Sequence, residues 1–119
     1  MNVLLIVNES PWASSLANTA LRFARTALAE GACVSAVFFQ GDGVYNAFGG
    51  STIDPGAEDL SQAWADLARQ GAFQLLLCSS ALARRIPLKQ GRDLTAPYRA
   101  AGLVEMIELL DRSDRVLSF

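Results

Sequence analysis

Three short, unbroken apolar runs limit what this chain can fold into. They are NVLLIV (Asn2–Val7), CVSAVFF (Cys33–Phe39) and FQLLLC (73–78). Continuous apolar runs of this length are the signature of strands in a sheet that is covered on both faces. Each run is followed by residues spaced for a helix. After the first, SSLANTALRFARTALAEG puts Leu16, Ala20, Phe23, Ala24, Ala27 and Leu28 on one face, with Ser14 or Ser15 to cap the start and Gly31 to end it. After the second comes a glycine-rich connection, 40–56, with a short helical turn expected at 44–47. A helix over 58–70 follows, with Leu60, Trp64, Leu67 and Ala68 inward and Gly71 at its end. After the third, SSALARRI begins a short helix that Pro87 stops. Residues 88–101 read as irregular, with a brief strand near Tyr98–Ala101. GLVEMIELLDRS then gives a last helix with Leu103, Met106, Ile107 and Leu110 as its apolar face, and DRVLSF a terminal strand. Strand and helix alternate from 1 to 119 with no internal repeat. That order predicts one α/β domain, a three-layer α/β/α sandwich around a mainly parallel sheet.

Composition narrows the function. Hydrophobic residues make up 51 % and charged residues 18 %, an apolar balance for a small domain, where about 25 % charged is usual. Some apolar surface is therefore expected to be buried against another chain. No stretch reaches the ~18 apolar residues needed to cross a bilayer, and MNVLLIVNESPW lacks the basic start of a signal peptide. The expected location is the cytoplasm, where the two cysteines, Cys33 and Cys78, stay reduced. A net charge of −2 argues against direct nucleic-acid binding. Residues 84–99 nevertheless hold Arg84, Arg85, Lys89, Arg92 and Arg99 against Asp93 alone, a local +4 that leaves −6 for the rest. That segment reads either as a solvated loop or as a docking patch for an anion or an acidic partner.

The chain contains no histidine. This removes Ser-His-Asp and Cys-His pairs, and two cysteines without imidazole make a poor metal site. No metal or cofactor is expected. Any chemistry here must work without imidazole as acid or base, and LLLCSSALARRI offers a thiol whose surroundings need none. Cys78 ends a strand and opens a helix, where free N–H groups and the helix dipole stabilise an anion. Ser79 and Ser80 follow at once, and Arg84 and Arg85 add positive potential one to two turns on. Such surroundings lower a thiol pKa. The plainer alternative is a small apolar residue buried at a strand end, and Cys33, which opens a strand without basic neighbours, is expected to be structural. Cys78 and Arg84 also fit the C-x5-R spacing of cysteine phosphatases and some arsenate reductases, although the intervening Ser-Ser-Ala-Leu-Ala lacks the glycine that lets such a loop curl around an oxyanion.

Four stretches in order resemble the DsrE/TusD subunits of the DsrEFH and TusBCD sulfur-transfer complexes: VFFQGDGVYNA, DLSQAWADLARQ, LLLCSSALARRI and DRVLSF. NESPW is closer to the NEGPY-like start of DsrE in sulfur oxidisers than to the usual TusD start. The resemblance implies a five-stranded sheet and a place beside DsrF/TusC-like and DsrH/TusB-like subunits in a hexamer of the α2β2γ2 kind. It implies that Cys78 carries sulfane sulfur as a persulfide and passes it to a cysteine on a carrier of DsrC/TusE or TusA type, in sulfur oxidation or in tRNA 2-thiouridine synthesis. Gly43, Val44 and Tyr45, in the DGV segment, are then possible walls of the site. The alternatives are a non-catalytic subunit of such a complex with Cys78 inert, or a C-x5-R enzyme.

Overall fold

The structure is a computed structural model that describes residues 1–48, 59–86, 94 and 96–119. Its elements run β1 (Asn2–Val7), α1 (Leu16–Ala29), β2 (Cys33–Phe39), a 3-10 helix (Gly41–Ala47), α2 (Leu60–Gly71), β3 (Gln74–Cys78), α3 (Ser79–Arg85), β4 (Tyr98–Ala101), α4 (Leu103–Arg112) and β5 (Arg115–Ser118). The five strands form one sheet in the order β4-β3-β2-β1-β5, and all four pairings are parallel. The chain steps from β1 to β4 in one direction with α1 and α2 on one face, then returns through α4 on the other face to place β5 beside β1. Right-handed crossovers require this change of face when the direction reverses. The three-layer α/β/α arrangement of the sequence reading is the one observed. Pro87, expected to stop the third helix, the cations Lys89 and Arg92, and residues 49–56 of the 40–56 connection lie outside the described residues.

Alternation along the strands builds two cores. Val3, Leu5, Val7, Val37, Phe39, Leu75 and Leu77 face α1 and α2, where Trp64 is fully buried and meets Phe39 edge-on at 5.7 Å. Leu4, Ile6, Ala36, Phe38 and Leu76 face α4. Between Val34 and Ala36 one extra residue, Ser35, makes a bulge, and its hydroxyl donates to the Val3 carbonyl at 3.1 Å.

The helices depart from the sequence reading in orientation. In α1 the buried set is Ala17, Ala20, Leu21 and Ala24, while Leu16 and Phe23 are exposed and Phe23 leans on Phe119. The face shifts because small residues let the helix lie close to the sheet. In α4 the change is larger. Leu109 is the one buried residue, Met106 is partly buried, and Leu103, Ile107 and Leu110 point outward with Val104. Helical spacing fixes which residues share a face, but it cannot tell a face that meets the sheet from one that does not. At the end of α2 the left-handed residue is Ala72, φ 54°, and not Gly71. Gly71 is there for space: a Cβ would come within 2.8 Å of Leu28.

Candidate active site

Cys78 is the last residue of β3 and the N-cap of α3, and it is half-buried. Its strand is a central one, between β2 and β4. The run Leu75–Leu77 is fully buried, so the strand is rigidly held up to the residue before the sulfur. The chain then turns directly into helix, driven by the strong helix formers of Ala-Leu-Ala-Arg-Arg. The turn leaves the first N–H groups of α3 without helical partners, and two of them, from Ser80 and Ala81, donate to the Cys78 sulfur. The Ser80 hydroxyl lies 3.3 Å from the same sulfur. Partial burial pushes the Cys78 thiol up; the Ser80 hydroxyl, the two backbone N–H groups and the charge of Arg84 outweigh it, and the thiol titrates below its ordinary value.

The residues expected around Cys78 divide on inspection. Ser80 and Arg84 act on the sulfur. Ser79 is exposed, and the hydroxyl that reaches the thiol is that of Ser80. Arg85 turns away to bond the Asp42 carboxylate at 2.8 Å and the Ala81 carbonyl at 3.2 Å. Arg99 is likewise occupied, in a two-pronged pair with Glu105 at 2.9 and 2.7 Å. Of the described arginines in 84–99, Arg85 and Arg99 are held in ion pairs, and Arg84 makes none among the described residues.

The 3-10 helix lies against α3 and the end of β3. Gly43 closes on the end of β1 so tightly that a Cβ would overlap the Val7 carbonyl. Val44 is fully buried in the main core, whereas Tyr45 keeps part of its surface open and packs against Trp12, the ring centroids 5.5 Å apart and the planes tilted by 48°. Asn46 is buried and donates to the carbonyls of Glu9 and Gly43, both at 2.9 Å. Asn8 joins the same rim, receiving a bond from Gln40 at 2.7 Å and donating to the Ser118 hydroxyl at 2.8 Å. Sequence reasoning gave no role to Asp42, Trp12 or Asn46. Asp42 stood in a quoted motif, but nothing in the spacing announced that it would meet an arginine 43 residues later.

The C-x5-R reading fails on geometry. Helix α3 begins at Ser79, so the residues after Cys78 make no curled loop for an oxyanion. Cys33, expected to be structural, is exposed and opens the central strand β2 at the opposite end of the sheet from Cys78. Among the described residues no group of three cysteine, aspartate or glutamate side chains is placed to hold a metal, and no helix is long and apolar enough to cross a membrane.

A model of the DsrE/DsrF-like family matches residues 1–119. The chain is 30 % identical to DsrE of Allochromatium vinosum over 128 aligned positions, covering all of this chain and 98 % of that one. It is 33 % identical to a sulfurtransferase TusD homolog of Vibrio vulnificus, covering 97 % and 95 %. It is 30 % identical to the sulfurtransferase TusD of Cronobacter sakazakii, covering both chains in full. Its backbone is similar to the crystal structure of the ychN protein from E. coli, with a TM-score of 0.82, 18 % identity and coverage of 100 % and 99 %.

Proposed function

The chain belongs to the DsrE/DsrF-like family, and from that premise we propose that it is a sulfurtransferase subunit carrying sulfane sulfur on Cys78. In the loading step the Cys78 thiolate attacks the outer sulfur of a donor persulfide or polysulfide. A new S–S bond forms, the donor's S–S bond breaks, and the donor leaves with the electron pair. In the transfer step a carrier thiolate attacks the outer sulfur of the Cys78 persulfide, and Cys78 leaves as a thiolate. Neither step changes the total oxidation state. Both are thiol–disulfide exchange in form, and both favour a sulfur that is readily ionised. No general base is needed, which suits a chain without histidine.

The observation that carries this reading is the set of donors at the Cys78 sulfur: the Ser80 hydroxyl, the N–H groups of Ser80 and Ala81, and the charge of Arg84. They stabilise the thiolate that attacks in the first step and the one that leaves in the second. The acceptor is a cysteine on a carrier of DsrC/TusE or TusA type. The subunit works in the cytoplasm with DsrF/TusC-like and DsrH/TusB-like companions, in sulfur oxidation or tRNA 2-thiouridine synthesis.

The test is intact-mass spectrometry after incubation with inorganic polysulfide. Wild type and Cys33→Ser should each gain one sulfur atom that a reductant removes, and Cys78→Ser should gain none. A gain that survives in Cys78→Ser sinks the assignment. Wild-type protein that stays unloaded, alone and with its companion subunits, identifies a non-catalytic subunit.

A further inference from the structure

Helix α3 is seven residues long, Ser79–Arg85. That is about two turns, too short to hold its shape without tertiary support. Its buried residues, Ala81 and Leu82, give part of that support. Arg85, at its end, gives another part. Arg85 Nε donates to the Asp42 carboxylate at 2.8 Å, and Arg85 Nη1 donates to the Ala81 carbonyl at 3.2 Å. Ala81 is also a residue whose N–H donates to the Cys78 sulfur. One guanidinium therefore joins the 3-10 helix to a residue that reaches the sulfur.

Asp42 is a firm anchor for that link, because its neighbours are fixed. The Gly43 N–H donates to the Gln40 carbonyl at 2.9 Å, and Gly43 lies against the Val7 carbonyl where no Cβ fits. The buried Asn46 side chain ties the Gly43 carbonyl to that of Glu9. Direct charge is a separate matter. Helix α3 packs on β3, β4 and the 3-10 helix, whose charged side chains are Arg99, held by Glu105, and Asp42. Of the two arginines in α3 itself, Arg84 is the one whose charge acts on the thiol. The Asp42 and Arg85 side chains are 59 % and 28 % exposed, so their pairing adds little to stability. What it can do is hold a direction.

We infer that Asp42 and Arg85 are positioning residues: the pair ties α3 to the 3-10 helix so that the N–H groups of Ser80 and Ala81 stay aimed at the Cys78 sulfur. Its purpose rests on the proposed sulfur-carrier role, in which the same N–H groups steady the sulfur as it attacks and as it leaves. The test follows iodoacetamide alkylation of Cys78 against pH in the full-length protein carrying Cys33→Ser, so that one thiol reports. Geometry and charge predict different results. If the pair acted by charge, Asp42→Ala would remove a carboxylate and ease ionisation of the thiol, and Arg85→Lys, which keeps the cation, would change nothing. For a positioning pair, each variant should move the alkylation midpoint up and slow alkylation near neutral pH by about threefold, as for weakened hydrogen bonds of ordinary strength. Arg85→Lys belongs with Asp42→Ala because lysine lacks the fork that spans Asp42 and the Ala81 carbonyl. The double variant should be no slower than the slower single, since both remove one link, and melting curves should stay close to wild type. The inference is overturned if Asp42→Ala alkylates as fast as wild type or faster, if Arg85→Lys matches wild type, or if the two effects add. Should Asp42→Ala fail to fold, Arg85→Lys decides alone. Polysulfide loading of the same proteins, read by intact mass, is a separate measurement. Variants that slow alkylation while even wild type gains no sulfur uphold the positioning role and count against the sulfur-carrier reading alone.

Discussion

Cys78 and Cys33 sit at opposite ends of neighbouring strands in one parallel sheet. At the carboxyl end, where Cys78 lies, a helix starts at the next residue, and the sulfur meets N–H groups, a serine hydroxyl and an arginine. The 3-10 helix and the segment after β1 fold over the same end, tied by Asn8, Gln40 and Asn46. At the amino end, where Cys33 opens β2, helices finish. Its backbone N–H bonds the Met1 carbonyl at 2.9 Å and its side chain is exposed. The two thiols differ because a parallel sheet sends every helix N-terminus to one end. An identical side chain thus meets hydrogen-bond donors and a positive charge at one end and is exposed at the other.

The largest expected effect is on the chemistry itself. Cys78→Ser removes all reductant-labile sulfur loading and Cys33→Ser removes none, as intact mass reads directly. Equal loading of both cysteines would erase the distinction between the two ends. Next come two glycines, one at each end. Gly43→Ala forces a Cβ into the Val7 carbonyl and should cost about 3 kcal/mol in denaturant melts, because backbone cannot give way as a side chain would. Gly31 has φ +89° with nothing within 4 Å of a Cβ, so Gly31→Ala pays only for its backbone conformation, about 1 kcal/mol. The reverse order would mean that the carboxyl end is the looser one.

Smaller still are changes in the titration of Cys78, read as the pH dependence of iodoacetamide alkylation. The wild-type midpoint should lie below that of an unfolded cysteine peptide, because the donors at the sulfur favour its charged form. Ser80→Ala removes one such donor, so the midpoint moves up and alkylation near neutral pH slows. Arg84→Ala moves it the same way but less, since Arg84 is exposed and acts through solvent, and that shift should fade in high salt. A larger shift from Arg84 than from Ser80 would place control of the thiol in long-range charge instead of direct hydrogen bonds.

Much of this was readable before any coordinates. The runs NVLLIV, CVSAVFF and FQLLLC are strands within a residue or so of where composition put them, and Cys78 stands at the strand–helix corner that its neighbours implied. The serines were right in kind, but which hydroxyl would turn to the sulfur was not legible: Ser79 and Ser80 differ only by the rotation of a short helix. Nor was the fate of the arginines. Arg84 and Arg85 are adjacent in sequence, yet one acts on the thiol and the other is held by Asp42 from a different connection. Such pairings depend on which loops meet, and residue type carries no record of that.

The sequence by itself determined the alternation of elements, the parallel sheet and the position of Cys78 at a strand–helix corner, because each follows from local periodicity and from the short reach of a strand–helix turn. Tertiary structure alone decided which faces those elements bury. Leu103, Ile107 and Leu110 have the spacing of core residues, but α4 turns them outward and buries Leu109. The sheet face below offers room for one line of contacts, and the helix meets it through Met106 and Leu109. An apolar stripe says that a face must be covered; only the packed layers show whether this chain covers it.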